Sequence, residues 1–213
     1  MNKSLCLSIC IIMLQLNAKT VIESNYSQFN APHGISCSPT ACTPTYLQAA
    51  SYILNDSNPW KMNQKDLESI LSHGSKIFGL TGKSSTKNIK NEEILIYIPE
   101  IKLDSSFIGF TTLPLFKGAL LKYAVYGILS EKNPACSLYI RQEKSYLICH
   151  KNKYWVFIDI QKKQNDSDGS HMIIFKNDKE FLTFIDENKI FAPSNLGPQA
   201  EQFELYLYKP TLE

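Results

Sequence analysis

The chain has 213 residues, of which 44% are hydrophobic, 11% aromatic and 20% charged, and its 22 basic and 20 acidic side chains leave a net charge of +2. That length suits one folded domain with an ample core, and eleven Tyr with eleven Phe exclude a disordered chain. The near balance of charge, without any basic run, argues against a nucleic-acid binder held by phosphate contacts.

Residues 1–18, MNKSLCLSICIIMLQLNA, have the layout of a secretory signal: one Lys, an apolar stretch from Leu5 to Leu16, and small Ala18 at the cut. An uncleaved anchor or a buried first helix is the alternative. Residues 19–213 then form the mature domain, which is expected to be exported and monomeric. No later segment reads as a membrane span, since Leu113 to Leu129 is interrupted by Pro114, Lys117, Gly118 and Lys122. Loss of the signal leaves Cys37, Cys42, Cys136 and Cys149, enough for two disulfides, with Cys37–Cys42 and Cys136–Cys149 as the short-range choice. The absence of a CxxC pair and the scatter of four His argue against structural zinc. No metal or cofactor is expected.

From Lys19 to Thr40 the sequence is polar and irregular. TPTYLQAASYIL reads as a helix, with Thr43 as cap, Pro44 at the first position, and Tyr46, Leu47, Ala50 and Ile53 on one face. In NQKDLESILSHG, Asn63 and Asp66 form a capping box, and Gly74 is expected to end the helix. EEILIYIPEI reads as a strand stopped by Pro99. CSLYIRQ, SYLICHK, YWVFIDI and HMIIFK read as strands, with a hairpin turn at Lys151–Lys153 and a loop from Gln161 to Ser170. NDKEFLTFIDENK reads as a helix capped by Asn177 or Asp178, and FELYLYK as a last strand. Helices early and strands late predict an α+β fold.

Cys42 directly precedes the first helix, where free N–H groups and the helix dipole favour a thiolate. A buried small apolar residue, or half a disulfide with Cys37, is the competing reading. A nucleophilic thiol needs an imidazole base. His73 sits at the end of its helix and His33 in a Pro/Gly loop, leaving His150 and His171. Pairing of YWVFIDI with HMIIFK would bring Asp159 beside His171, whereas the hairpin would bring His150 near Trp155. Gln28 is a candidate oxyanion donor, or a solvated loop residue.

Gln28-Phe29, Ala41-Cys42-Thr43 opening TPTYLQAASYIL, NPW, and DLESILSHGSKIFG together resemble the amino half of the viral tegument-type deubiquitinases. The order YWVFIDI, polar loop, HMIIF, EFLTFI resembles their later half. The resemblance implies a papain-like cysteine peptidase acting on ubiquitin or a ubiquitin-like protein, with Cys42 as nucleophile. In that family the strand matching YWVFIDI usually ends in Asp-x-His, whereas this chain reads Asp159-Ile160-Gln161. Asp159 carries over and the His does not; since Gln accepts no proton at neutral pH, His171 becomes the substitute base and His150 the alternative. A catalytically inactive relative that binds ubiquitin or another host protein is the runner-up, and a disulfide-bonded exported binding module the third reading.

Overall fold

The computed structural model describes residues 19–26, 42–55, 58–82, 90–111, 119–141, 144–161, 169–191 and 201–211. In chain order these form β1 (Lys19–Glu23), α1 (Thr43–Asn55), α2 (Gln64–Leu80), α3 (Asn91–Leu95), β2 (Ile101–Thr111), α4 (Ala119–Glu131), β3 (Ala135–Arg141), β4 (Lys144–Lys151), β5 (Tyr154–Asp159), β6 (His171–Phe175), α5 (Asp178–Glu187) and β7 (Glu201–Pro210). The strands make one sheet in the order β1-β6-β5-β4-β3-β7-β2, every pair antiparallel. The fold is α+β, as the residue pattern predicts. The expected signal segment lies outside the described residues, and no described helix is long and apolar enough to cross a membrane.

Alternation along the strands sends side chains to two separate cores. Leu147 and Cys149 of β4, Val156 and Ile158 of β5, and Met172 and Ile174 of β6 pack with α1 and α2. Ile148, Trp155, Phe157, Ile173 and Phe175 pack on the opposite face with Val125 and Leu129 of α4 and Phe181 and Ile185 of α5. Strands covered on both faces read as nearly continuous apolar runs, which is why YWVFIDI shows so little alternation in hydrophobicity.

The hairpin between β4 and β5 turns on Asn152 and Lys153, at φ 51° and 68°, the backbone signature of a two-residue primed turn. Cys136 and Cys149 face each other across β3 and β4 and are joined by a disulfide. Cys37, the other half of the second short-range pairing, lies outside the described residues.

Three expectations fail for identifiable reasons. Gly74 does not end its helix. α2 continues through buried Ile77 and Phe78, and Gly74 sits where α2 crosses α1, so close that a Cβ would lie 2.5 Å from the Thr45 Cα. EEILIYIPEI is not a strand. Before Ile101, which opens β2, its buried residues are Ile94 and Ile98, four apart, while Ile96 between them is 77% exposed, a helical spacing that gives α3 and a following turn. The irregular stretch after residue 18 opens with β1, which pairs with β6 as an edge strand and buries only Ile22.

α1 is fastened to β4 near both its ends. At one end the Tyr46 hydroxyl donates to the Ser145 carbonyl at 2.5 Å. At the other, buried Lys151 donates from Nζ to the carbonyls of Ile53 at 3.0 Å and Leu54 at 2.8 Å. A cation there satisfies otherwise open C-terminal carbonyls and complements the helix dipole. Lys151→Met retains the apolar stem and loses the charge-assisted bonds, so we expect a loss of about 2 kcal/mol, measured by urea denaturation.

Candidate functional site

Cys42 immediately precedes α1 and is fully buried. One helical turn on, Tyr46 shares its helix face and is also fully buried. The Tyr46 hydroxyl reaches the end of β5, where the Ile160 N–H lies 3.5 Å from it. Burial, the Asp159 carboxylate and the Cys42 sulfur, in that order, hold the Tyr46 phenol well above its usual pKa. It therefore remains a protonated donor. The start of α1 and the end of β5 thus meet at one rim of the sheet.

Asp159 closes β5 and is paired in register with His171 at the start of β6. Glu23 of β1 stands opposite His171 on the other side, so a carboxylate, an imidazole and a second carboxylate lie in one row across three strands. The row belongs to the face of Phe157, whose ring centroid is 6.2 Å from that of His171. It borders a cavity of about 470 Å³ to which Tyr146 and Gln161 also contribute. Burial, then the Asp159 charge, pushes the Tyr146 phenol up to about 12. Asp159 thus acts on Tyr46 on the α1 face and on Tyr146 on the other, as a residue at the rim can.

The turn after β5 is tightly stitched. The Gln161 N–H donates to Asp159 Oδ1 at 2.9 Å, and Gln161 Oε1 accepts from the Ser145 N–H at 2.9 Å. Ser170 Oγ donates to the Ile160 carbonyl at 3.3 Å. The Gln161 amide therefore braces β4 against β5 in the place where the resemblance leads one to look for an imidazole.

The structure brings Asp159 and His171 together. It does not bring Cys42 into their cavity, because α1 packs on the opposite face. Gln28 lies outside the described residues, as does His33. His73 Nδ1 lies 2.8 Å from the Ser69 carbonyl on the exposed side of α2. His150 stacks on Trp155 with ring centroids 4.5 Å apart, and its Nδ1 lies 3.2 Å from the Leu129 carbonyl. That places His150 beneath α4, on the sheet face away from Cys42, and gives it a structural role. Residue spacing identifies the rim through Asp159 but misses Tyr46, Ser145 and Glu23. Tyr46 reads as one more member of an apolar stripe, and only its position four after Cys42 marks it. Among the described residues no group of three or more His, Cys, Asp or Glu is placed to hold a metal.

Burial lowers the His150 pKa from 6.5, with the Leu129 carbonyl and the Asp178 carboxylate opposing the shift. A base whose folded pKa is depressed contributes stability that is complete above its unfolded value and lost as pH falls through the folded one. The urea midpoint is therefore expected to decline as pH drops below about 6.5, and His150→Phe is expected to flatten that part of the profile.

The single antiparallel sheet, covered by helices on both faces, defines the α+β class, with Cys42 opening one of those helices. No family model and no curated protein matches the sequence. Among solved structures, the chain is similar to the ubiquitin-specific protease encoded by the murine cytomegalovirus tegument protein M48, determined in complex with a ubiquitin-based suicide substrate. The TM-score is 0.60 with 13% sequence identity, over 90% of this chain and 86% of that one. At that identity the similarity is one of fold.

Proposed function

We propose that the chain is a thiol peptidase acting on conjugates of ubiquitin or a ubiquitin-like protein. The observation that carries the reading is the position of Cys42: it opens the helix that meets the Asp159 end of β5, in a fold shared with a ubiquitin-specific protease. On this reading the Cys42 sulfur attacks the isopeptide carbonyl carbon with His171 as base and Asp159 orienting the ring. Because the His171 cavity opens on the other sheet face, transfer of the thiol proton requires the rim to rearrange so that imidazole and sulfur meet. Gln28 and the Cys42 N–H hold the oxyanion. The imidazolium then returns its proton to the leaving amine, and water releases the acyl group from sulfur. With residues 1–18 as an export signal, the enzyme meets its substrate after export.

His171→Ala is expected to lower turnover of a ubiquitin–fluorophore conjugate at least 100-fold while leaving the urea midpoint within about 0.5 kcal/mol of wild type, as a half-buried rim residue allows. Unchanged turnover would remove His171 from the reaction.

A second reading is favoured by Gln161 and by the complete burial of Cys42: a relative that binds ubiquitin without cleaving it. It predicts a saturable ubiquitin isotherm for wild type and Cys42→Ser alike, with no turnover by either. Cleavage by wild type would refute it.

A further inference from the structure

On the face away from α1 and α2, α4 does not close fully over the sheet. A slot of about 200 Å³ remains between α4 and the strands β3, β7 and β2. Val125 and Leu129 of α4 and Leu207 of β7 supply apolar walls, and half-exposed Ile128 stands at the mouth. Ser137 of β3 belongs to the lining and is only 2% exposed. Among the described residues its Oγ has no hydrogen-bond partner.

The serine accounts for the space. Its neighbours on the same strand face, Ala135 and Tyr139, are core residues, and a branched apolar side chain at position 137 would reach toward α4. The serine instead removes volume and leaves a buried hydroxyl unsatisfied, which is unfavourable unless something bonds to it. The slot is somewhat larger than an apolar cavity of about 150 Å³ that admits benzene. Ser105 and Ser106 of β2 also line the slot but are exposed, so Ser137 is its buried polar group. A few polar groups among apolar walls are the usual composition of a small-molecule pocket.

We propose that this slot binds a small monocyclic hydrophobe bearing one hydroxyl, whose oxygen pairs with Ser137 Oγ while the ring lies between Val125, Leu129 and Leu207. The site is on the opposite face from Cys42, and binding there is independent of peptidase activity.

The test is titration of the full chain with phenol and with toluene, followed by amide and methyl chemical shifts. Phenol is expected to shift Ser137, Val125 and Leu129 saturably and to bind about fivefold more tightly than toluene, the effect of one net hydrogen bond. Ser137→Ala is expected to bring the two affinities together. Ile128→Trp, on the surface of α4 where it leaves the core intact, is expected to block both ligands. The proposal is overturned if phenol gives no saturable shifts at these residues, if its preference over toluene survives in Ser137→Ala, or if Ile128→Trp leaves binding unchanged.

Discussion

Cys42→Ala is expected to eliminate covalent labelling by ubiquitin carrying a C-terminal electrophile, and to lower conjugate cleavage by more than about 1,000-fold, because no other group replaces a lost nucleophile. The measurement is intact mass after incubation with the probe, together with turnover of a fluorogenic conjugate. Cys42 is fully buried, but alanine is nearly as small and removes only sulfur, so the variant should fold. An unlabelled wild type, shown to be folded by its urea transition, overturns the peptidase reading. A labelled Cys42→Ala variant moves the nucleophile to another cysteine. Tyr46→Phe gives a graded version of the same experiment. It keeps the ring and removes the hydroxyl that bonds the Ser145 carbonyl and approaches the Ile160 N–H.

The second large effect is on stability. The Cys136–Cys149 bridge closes a loop of 13 residues between neighbouring strands, and the chain-entropy estimate for such a loop is about 3 kcal/mol. The double variant Cys136→Ala/Cys149→Val keeps both positions apolar. It is expected to melt about 6–12 °C below the oxidised wild type, at the two to four degrees per kcal/mol usual for a chain of this size. Wild type in excess reductant should approach the same midpoint. Coincident midpoints for oxidised and reduced wild type would show that the bridge adds nothing to the folded state.

The elements legible from residues alone are those whose signals are local. Asn63 and Asp66 make the capping box of α2, and both reciprocal bonds are present. Asn177 caps α5 through its side chain to the Glu180 N–H at 3.0 Å. The β4–β5 hairpin follows from its two turn residues, and its register sets His150 against Trp155. What depends on distant partners is harder to read. Gly74 resembles a helix terminator until Thr45 of another helix occupies the space a side chain would need. β2 carries Asp104, Ser105 and Ser106 in its centre and slips register there, because it pairs on one side only, with β7. The candidate site divides in the same way. Asp159 beside His171 follows from antiparallel pairing, whereas the sheet face each helix covers does not follow from spacing. For that reason the separation of Cys42 from the His171 cavity emerges only in three dimensions.

The suspension of α1 from β4 at Ser145 and Lys151 has a consequence for how the thiol keeps its place. If β4 slid along β3 by two residues, alternation would be preserved and the core would tolerate the move, yet the helix and its leading cysteine would travel almost 7 Å with it. The cystine between those strands forbids that slide. That bond thereby acts as a pin for the position of Cys42, and lengthening the connection after β5 should leave that position unchanged.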